Sequence, residues 1–347
     1  MPKLHEQRLL IPYPLLPNPK MIFNNYGEHE LAWGLLDSCE AGFRYGFLTN
    51  QLVDVGISDA DEMCDFWSEG GFDTLEIGPT FDLSDEALRG FESRGVKISD
   101  LIYCRNTLAA NTSDRETVLE KLRQRIEWAD RFGIPMVTTS AGFPGRSDNK
   151  QTYDRYEAIR PLPAAAIDEW VRVFTPLVEL AESKGVKLAF ENCPLMQNWA
   201  IAPDLWASMF ERIDSKQLGL VYDPSHLLWQ MIDPYEPLEE FADRIFAIHA
   251  KDTQIDHERL ARCGILSDFS WWSYRIPGRG QLDWSRFMEK LLDIGFDGPI
   301  TIEHEDADFS GSAKDVKAGI LQGLAHLRHA EKQARSQRAK LSQLQES

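Results

Sequence analysis

Short apolar segments alternate with amphipathic stretches from Phe43 onward, and this alternation is the strongest constraint on the fold of the chain. Apolar runs of roughly four to eight residues are typical of strands buried on both faces of a parallel sheet. The predicted strands are FRYGFLTN (43–50), TLEIGPT (74–80), VKISDLIYC (96–104), PMVTTSAG (135–142), KLAFEN (187–192), LGLVYD (218–223), IFAIHAKD (245–252) and PITIEHED (299–306). Repeated strand–helix units of this kind predict an α/β protein with a parallel sheet.

The number of these units indicates a closed barrel. The predicted helices are clearest at 59–69, 114–132, 164–184, 203–212, 284–294 and 313–335. Eight strands with about as many helices match the (β/α)8 TIM barrel, which has roughly 250 residues before insertions. An open doubly wound sheet is the alternative, but it favours a glycine-rich phosphate turn after its first strand, and FLTNQLVDVG has no such motif.

The barrel is predicted to span residues 43–335. An N-terminal extension, 1–42, is expected to pack on it, and a polar tail, 336–347, follows it. Two long connections, 143–163 after strand four and 253–283 after strand seven, are predicted on the active-site face. Loops of this length in a compact domain are usually lids or binding loops.

Four of the predicted strands end in a residue that can ligate a metal ion: Glu191, Asp223, His249 and Glu303. Ionised groups are costly to bury unless they are paired or bound to metal, so packing does not explain them. In a barrel the carboxyl ends of the strands meet at one face, where active-site residues lie. Three carboxylates and an imidazole suit Mn²⁺, Mg²⁺, Co²⁺ or Zn²⁺, and we predict one divalent ion here, with Mn²⁺ preferred.

Charge and cysteine content narrow the class of protein. The formal net charge of -18 and the pI of about 4.9 repel phosphate backbones and argue against a nucleic-acid partner. Five cysteines at wide spacing, without a CxxC motif, indicate reduced thiols, and Cys193 is interpreted as a packing residue. The sequence shows neither a signal peptide nor a run near the roughly 20 apolar residues of a membrane span, so we expect a cytoplasmic protein.

Five blocks in order resemble the xylose isomerase-like TIM-barrel superfamily: ENC (191–193), DPSH (223–226), HAKD (249–252), PGRGQLDW (277–284) and GPITIEHE (298–305). That superfamily includes tagatose/psicose 3-epimerases, inosose dehydratase, hydroxypyruvate isomerase and endonuclease IV. Endonuclease IV is set aside because it needs histidines on the second and third strands, which here end in EIGPT and IYCRN. The resemblance covers about residues 43–325 and implies a sugar isomerase or epimerase that forms a dimer or tetramer.

The resemblance also implies a role for each residue of the site. Glu191 and Glu303 correspond to metal ligands that double as the catalytic carboxylate pair, and Asp223 and His249 correspond to the remaining ligands. The implied reaction moves a proton next to a carbonyl through a metal-stabilised enediolate, with one carboxylate on each face of the substrate. His226 corresponds to a substrate-hydroxyl contact.

Further substrate contacts are predicted near the seventh strand. Lys251 lies on the same side of that strand as the ligand histidine, so it can contact a substrate oxygen. The tagatose/psicose epimerases carry an arginine where this chain has Ile255, and Arg275, Arg279 or Lys251 is expected to replace it. Trp271 belongs to an aromatic cluster that predicts either a carbohydrate platform or a buried loop anchor.

Three functions stay open at this stage. Isomerisation or epimerisation of a sugar or keto-sugar is preferred. A lyase or dehydratase acting by β-elimination on a 3-keto-glycoside or keto-inositol starts from the same proton abstraction. The third is a non-catalytic sugar-binding barrel. The segment GRG (278–280) is followed by LDW rather than a helix that could cradle phosphate, so a neutral substrate is expected.

Overall fold

The structure, a computed structural model, describes residues 42–144 and 165–345. The strands in these ranges are β1 (Arg44–Leu48), β2 (Thr74–Ile77), β3 (Ile98–Ile102), β4 (Met136–Thr139), β5 (Lys187–Glu191), β6 (Leu218–Tyr222), β7 (Ile245–Ala250), β8 (Asp252–Ile255), β9 (Trp272–Arg275) and β10 (Pro299–Ile302). Eight of them close a parallel barrel in the spatial order β1-β10-β7-β6-β5-β4-β3-β2. Each predicted strand contains one barrel strand, and the predicted (β/α)8 barrel is confirmed.

Helices surround the barrel in the usual alternation. They are α1 (Asn50–Asp54), α2 (Ala60–Gly70), α3 (Asp85–Ser93), α4 (Thr112–Phe132), α5 (Ala166–Lys184), α6 (Pro203–Arg212), α7 (Pro224–Trp229), α8 (Glu236–Glu240), α9 (His257–Ser267), α10 (Trp284–Asp293) and α11 (Ala313–Gln345). The six helices predicted from the sequence are all present. The last is longer than predicted, because α11 continues to Gln345, past the boundary placed at residue 335.

Local sequence sets the ends of these helices. The Asn111 side chain accepts hydrogen bonds from the backbone N–H groups of Ser113 and Asp114, and so caps the start of α4. Gly133 and Gly185 end α4 and α5 with φ angles of 65° and 67°, in the left-handed region that glycine adopts without a Cβ clash. Each glycine turns the chain directly into the next barrel strand.

Part of the barrel interior beneath the carboxyl ends is apolar, although Asp100, Thr138 and Thr301 are also buried there. Ala189, Val221 and Ala247 each lie two residues before a metal-ligand candidate, so strand alternation places them on the same side as those ligands. They pack with Met136 and Phe246 in one small hydrophobic cluster. The polar groups at the strand ends therefore lie above a water-excluding floor, where charges interact more strongly than in water.

The connection after β7 contains regular secondary structure, whereas the sequence predicted a loop over 253–283. β8 and β9 form an antiparallel pair, with Asp252 opposite Arg275 and Ile255 opposite Trp272, and α9 joins them. The long connection predicted from the sequence omits β9, although WSYR alternates aromatic and polar residues and the Pro277-Gly278 turn signal follows it closely. The paired strands β8 and β9 hold the aromatic cluster in a fixed position.

The buried carboxylate of Asp252 anchors this hairpin. Its Oδ1 accepts from the backbone N–H groups of Thr253 and Leu282, at 2.8 and 3.0 Å. Its Oδ2 accepts from the N–H of Gly278 and from the indole Nε1 of Trp284, at 3.2 and 3.0 Å. Three donors from the connection and one from α10 thus converge on one side chain.

Two sequence predictions fall on residues outside the described ranges. The packing of the N-terminal extension concerns residues 1–41, and most of the long connection after strand four lies within 145–164. Within the described residues, no helix has the length and apolar character needed to cross a membrane.

Candidate metal centre and active site

Four side chains from four strand ends converge at the mouth of the barrel. Glu191 is the last residue of β5, Asp223 follows β6, His249 lies near the end of β7, and Glu303 follows β10. Each offers one ligand atom, and these atoms all lie within 4.8 Å of one another. We call these four residues the quartet. All four side chains are buried, and the negative charge of such a buried cluster is normally compensated by a metal ion.

The hydrogen bonds around the quartet leave two of its inward-facing atoms without a hydrogen-bond partner. Asp223 uses Oδ1 to accept from the N–H of Ser225, at 2.8 Å, which caps α7. His249 uses Nε2 to contact Oε1 of Glu76, at 2.9 Å. Among the described residues, Asp223 Oδ2 and His249 Nδ1 have no hydrogen-bond partner. The Lys251 ammonium forms an ion pair with Asp223 Oδ2, at 3.1 Å. Because this carboxylate oxygen and the imidazole nitrogen face the same point, the donor set fits a divalent ion.

Glu76 is a residue whose role the sequence did not reveal. The structure places the Glu76 carboxylate behind the ligand histidine. A carboxylate on the outer nitrogen of a ligand histidine fixes the ring orientation and raises its basicity. Asn192 has a similar positioning role, because its side chain bonds both the N–H and the C=O of Asp223.

Lys251 brings a positive charge into the same cluster. Its ammonium Nζ lies 2.7 Å from Glu303 Oε2, 3.0 Å from Glu305 Oε2 and 3.1 Å from Asp223 Oδ2. Burial alone would lower the pKa of Lys251, but these carboxylates outweigh it and raise the pKa well above its usual value. The lysine therefore stays charged and offsets part of the negative charge of the quartet.

His226, which the sequence predicts as a substrate contact, lies at the edge of the quartet. Its Nε2 is 3.3 Å from Asp223 Oδ2 and 3.5 Å from Glu191 Oε1. On the other side of the ring, Nδ1 is 3.0 Å from the hydroxyl of Tyr274, which belongs to β9. The hairpin thus contacts the site through one tyrosine, whose ring also lies 4.5 Å from the ammonium of Lys251.

The two glutamates of the quartet are held in their ionised form. Burial tends to raise the pKa of Glu191, but the imidazoles of His226 and His249, each 3.5 Å from its Oε1, lower it below its usual range. Burial acts in the same direction on Glu303, yet the Lys251 charge dominates and lowers the pKa of Glu303 to about 2. Both carboxylates are therefore available as proton acceptors at neutral pH.

A cavity of about 160 Å³ opens onto this cluster and is lined by Glu191, Glu303 and Lys251. Its other polar lining residues are Asn50, Gln51, Asp54, Thr80, Tyr274 and Glu305. The sequence motif EHED contains Glu305, but nothing in the pattern distinguishes that residue from a solvent-facing acid. Its place in the cavity depends on its contact with Lys251.

The structure does not bring Arg275 or Trp271, two predicted substrate contacts, to this cavity. The Arg275 guanidinium pairs with the buried carboxylate of Asp306, at 2.9 Å, and Arg279 pairs with the same carboxylate, at 3.1 Å. Trp271 is buried in a hydrophobic cluster under the hairpin, which is the anchoring alternative raised for the aromatic cluster. Of this connection, Tyr274 is the side chain that lines the cavity.

The order of these strands and helices agrees with a comparison against known protein families. A family model for the xylose isomerase-like TIM barrel matches residues 64–330. The chain belongs to that family. The family assignment confirms the resemblance carried by the five sequence blocks.

Individual members of the xylose isomerase-like family show how far the similarity extends. The chain is 25% identical over 263 residues to inosose dehydratase of Geobacillus kaustophilus, covering 71% of this chain and 80% of that protein. It superposes on L-ribulose 3-epimerase with a TM-score of 0.66 at 15% identity, covering 86% and 98% of the two chains. A protein named IOLI, solved with a zinc atom, gives a TM-score of 0.61 at 17% identity, covering 82% and 98%. The two structural similarities establish the fold.

Proposed function

We propose that the protein is a divalent-metal-dependent enzyme that moves a proton on the carbon next to a carbonyl of a sugar or sugar-like polyol. The observation that carries this proposal is the pair of ionised carboxylates, Glu191 and Glu303, on opposite sides of the barrel mouth and lining one cavity. Two proton acceptors around one small cavity suit removal of a proton on one side and its return on the other.

The quartet would hold the ion, with Mn²⁺ preferred because three of its four donors are carboxylates. When bound, the ion supplies Lewis-acid polarisation of a carbonyl or hydroxyl oxygen. Glu191 and Glu303 exchange protons with the substrate carbon. Lys251 and His226 are suited to orient substrate oxygens, since both are fully buried beside the carboxylates and both can donate a hydrogen bond.

Isomerisation or epimerisation is the first candidate reaction. It needs two opposed acid–base groups and a substrate small enough to fit over the metal site. The cavity of about 160 Å³ is below the roughly 300–1,000 Å³ of typical ligand pockets, which favours a substrate of the size of one sugar ring or less.

A lyase or dehydratase is the second candidate, and one observation favours it. A second cavity, of about 380 Å³, adjoins the first and shares Gln51, Asp54 and Glu305 with it. Within the described residues, no lysine or arginine lines this second cavity. A neutral substituent carried by the polyol could extend past Glu305 into this space, as the substituent of a keto-glycoside would. The inosose dehydratase relative supports the same chemistry.

Deuterium incorporation tests the proposal. The Mn²⁺-loaded protein is incubated in D₂O with ketoses, keto-inositols and 3-keto-glycosides, and mass spectrometry follows exchange and products. Isomeric products that carry solvent deuterium support the isomerase, and deuterium exchange with loss of water or an aglycone supports the lyase.

The variant Glu303→Gln separates an enzyme from a sugar-binding barrel. An enzyme loses exchange in this variant, whereas a binding protein keeps its affinity for the sugar. Glu92→Gln, at the opposite end of the barrel, is the matched control and should leave exchange unchanged. Absence of exchange across the panel, with metal occupancy verified, would contradict the proposal.

A further inference from the structure

A second set of metal-ligand atoms lies beside the quartet. Glu191, Cys193 and His226 each offer one ligand atom, and these three atoms lie within 4.8 Å of one another. All three residues are buried. Cys193 is two residues beyond the end of β5 and His226 is within α7, so the two loops that follow adjacent strands bring this set together.

The histidine of this set has an unused donor atom aimed into the site. His226 Nε2 is fully buried and, within the part of the chain that the structure describes, has no hydrogen-bond partner. It lies 3.5 Å from Glu191 Oε1 and 3.3 Å from Asp223 Oδ2, which belongs to the quartet. Two ligand atoms of a tetrahedral zinc ion are separated by roughly 3.2–3.6 Å, given bond lengths near 2.1 Å. This separation is already present between the imidazole and the carboxylate.

The other side of the imidazole is compatible with metal binding at Nε2. The Tyr274 hydroxyl lies 3.0 Å from Nδ1 and can accept a hydrogen bond from an Nδ1–H group. That tautomer leaves the Nε2 lone pair free for an ion. Ligand histidines in metal sites are usually held by such a partner on the outer nitrogen.

We propose that Glu191, Cys193 and His226 form a second metal site, which takes a thiophilic divalent ion such as Zn²⁺ or Cd²⁺. Glu191 is common to both sets and would bridge the two ions, as carboxylates do in two-metal sites. The two sets differ in softness, because the quartet has oxygen and nitrogen donors and the second set adds a thiolate. Mn²⁺ and Mg²⁺ would therefore fill the quartet alone, and the Cys193 thiol proton is released to solvent when the sulfur–metal bond forms.

Occupancy of the second site has a functional consequence. That consequence rests on the proposed function, whereas binding of the ion to the second site is independent of it. An ion on His226 removes that imidazole from its role as a contact for a substrate oxygen. Excess Zn²⁺ should therefore inhibit Mn²⁺-dependent turnover, in competition with the polyol, and Cys193→Ser should resist that inhibition.

Metal titration of the full-length protein tests the site directly. The chelator-treated protein is titrated with Mn²⁺ and with Cd²⁺, and bound metal is counted by mass spectrometry of the intact protein. We expect one equivalent of Mn²⁺ and two of Cd²⁺, with a thiolate-to-cadmium absorption band that appears as the second equivalent binds. Cys193→Ser should lose the band and the second equivalent.

Two controls make the outcome decisive. Cys104→Ser removes the other buried thiol near Glu191, whose Sγ lies 3.9 Å from Oε2, and should keep both equivalents and the band. Asp223→Asn weakens the quartet but should keep the thiolate band, so failure of the quartet can be told from failure of the second site. Binding of a single Cd²⁺ equivalent without a thiolate band, or loss of the band in Cys104→Ser alone, would overturn the proposal.

Discussion

His249 Nε2 lies 2.9 Å from Oε1 of Glu76, although the two residues are 173 positions apart in the sequence. Both side chains are fully buried, and the contact leaves Nδ1 facing Glu191 and Glu303. The orientation of the quartet imidazole therefore depends on a carboxylate contributed by β2, on the far side of the barrel mouth.

Replacing Glu76 by glutamine should weaken metal binding. The amide keeps the size of the side chain but removes the charge that raises the basicity of the imidazole. Loss of such a partner typically lowers metal affinity about 10–100-fold. Isothermal titration with Mn²⁺ measures the change, and Glu92→Gln should bind as the parent does. Unchanged affinity in Glu76→Gln would show that packing alone orients His249.

Replacing Lys251 by methionine should have opposite effects on stability and on metal binding. The ammonium is the positive charge closest to Asp223, Glu303 and Glu305. Removing one partner of a buried ion pair costs about 3–5 kcal/mol, so the metal-free protein should lose roughly that much unfolding free energy. Mn²⁺ affinity should rise, because a competing cation has been removed from the carboxylates.

Urea unfolding with and without Mn²⁺ measures both effects of the Lys251 change. Addition of Mn²⁺ should restore more stability to Lys251→Met than to the parent protein, in proportion to the tighter binding. Lys187→Met, at the other end of the barrel, is the control for loss of a lysine. If Lys251→Met is destabilised equally with and without Mn²⁺, the ion does not replace the ammonium.

The barrel and the quartet could be predicted from the sequence. Strands buried on both faces appear as apolar runs, so the barrel and its order are visible without coordinates. The quartet is visible as well, because carboxylates at the ends of apolar runs have few structural explanations. The structure brings together all four of the residues predicted as ligands.

The remaining site residues depend on contacts that no local pattern encodes. Glu76 acquires its role from a histidine on another strand, and Glu305 acquires its place from Lys251. Arg275 has the charge expected of a substrate contact, yet Asp306, 31 positions away, holds its guanidinium outside the cavity. Predicting which arginine contacts the substrate requires knowing which carboxylate each arginine pairs with.

Replacing Tyr274 by phenylalanine should impair substrate binding more than folding. The change removes the hydroxyl that contacts His226 and leaves the ring packed against Lys251. Loss of one hydrogen bond is worth roughly 0.5–1.5 kcal/mol, so we expect KM to rise about 2–10-fold at little cost in Tm. Tyr235→Phe removes another tyrosine hydroxyl, which accepts from the N–H of Asp283, and should leave KM unchanged.

The stability of the protein should decrease as the pH falls below neutrality, in part because of His326. Burial lowers the pKa of His326 from its usual value, with the nearby charge of Asp252 opposing that shift. The unfolded chain, with a pKa near 6.5, therefore binds more protons than the folded protein between the two pKa values. Stability contributed by the neutral imidazole is present above this window and is lost as the pH falls through it.

Thermal unfolding at pH 5.5 and pH 7.5 measures this effect. His326→Gln should show a smaller decrease in Tm between the two conditions than the parent protein. His257→Gln, which alters a histidine on an exposed part of α9, should show the same decrease as the parent. Equal decreases in Tm in all three proteins would show that His326 does not contribute to the pH dependence of stability.

The hairpin that Asp252 anchors and the barrel that carries the quartet have different roles. The metal-binding residues belong to the barrel itself, whereas Tyr274 reaches them from a separate hairpin. That hairpin is held by the Asp252 carboxylate and its four donors, by the pairing of Arg275 with Asp306 and by the burial of Trp271. A hairpin of another length or sequence could replace it, keeping the same contacts with the barrel, without moving the quartet. Exchange of this segment between family members should therefore transfer substrate preference while metal affinity stays with the recipient barrel.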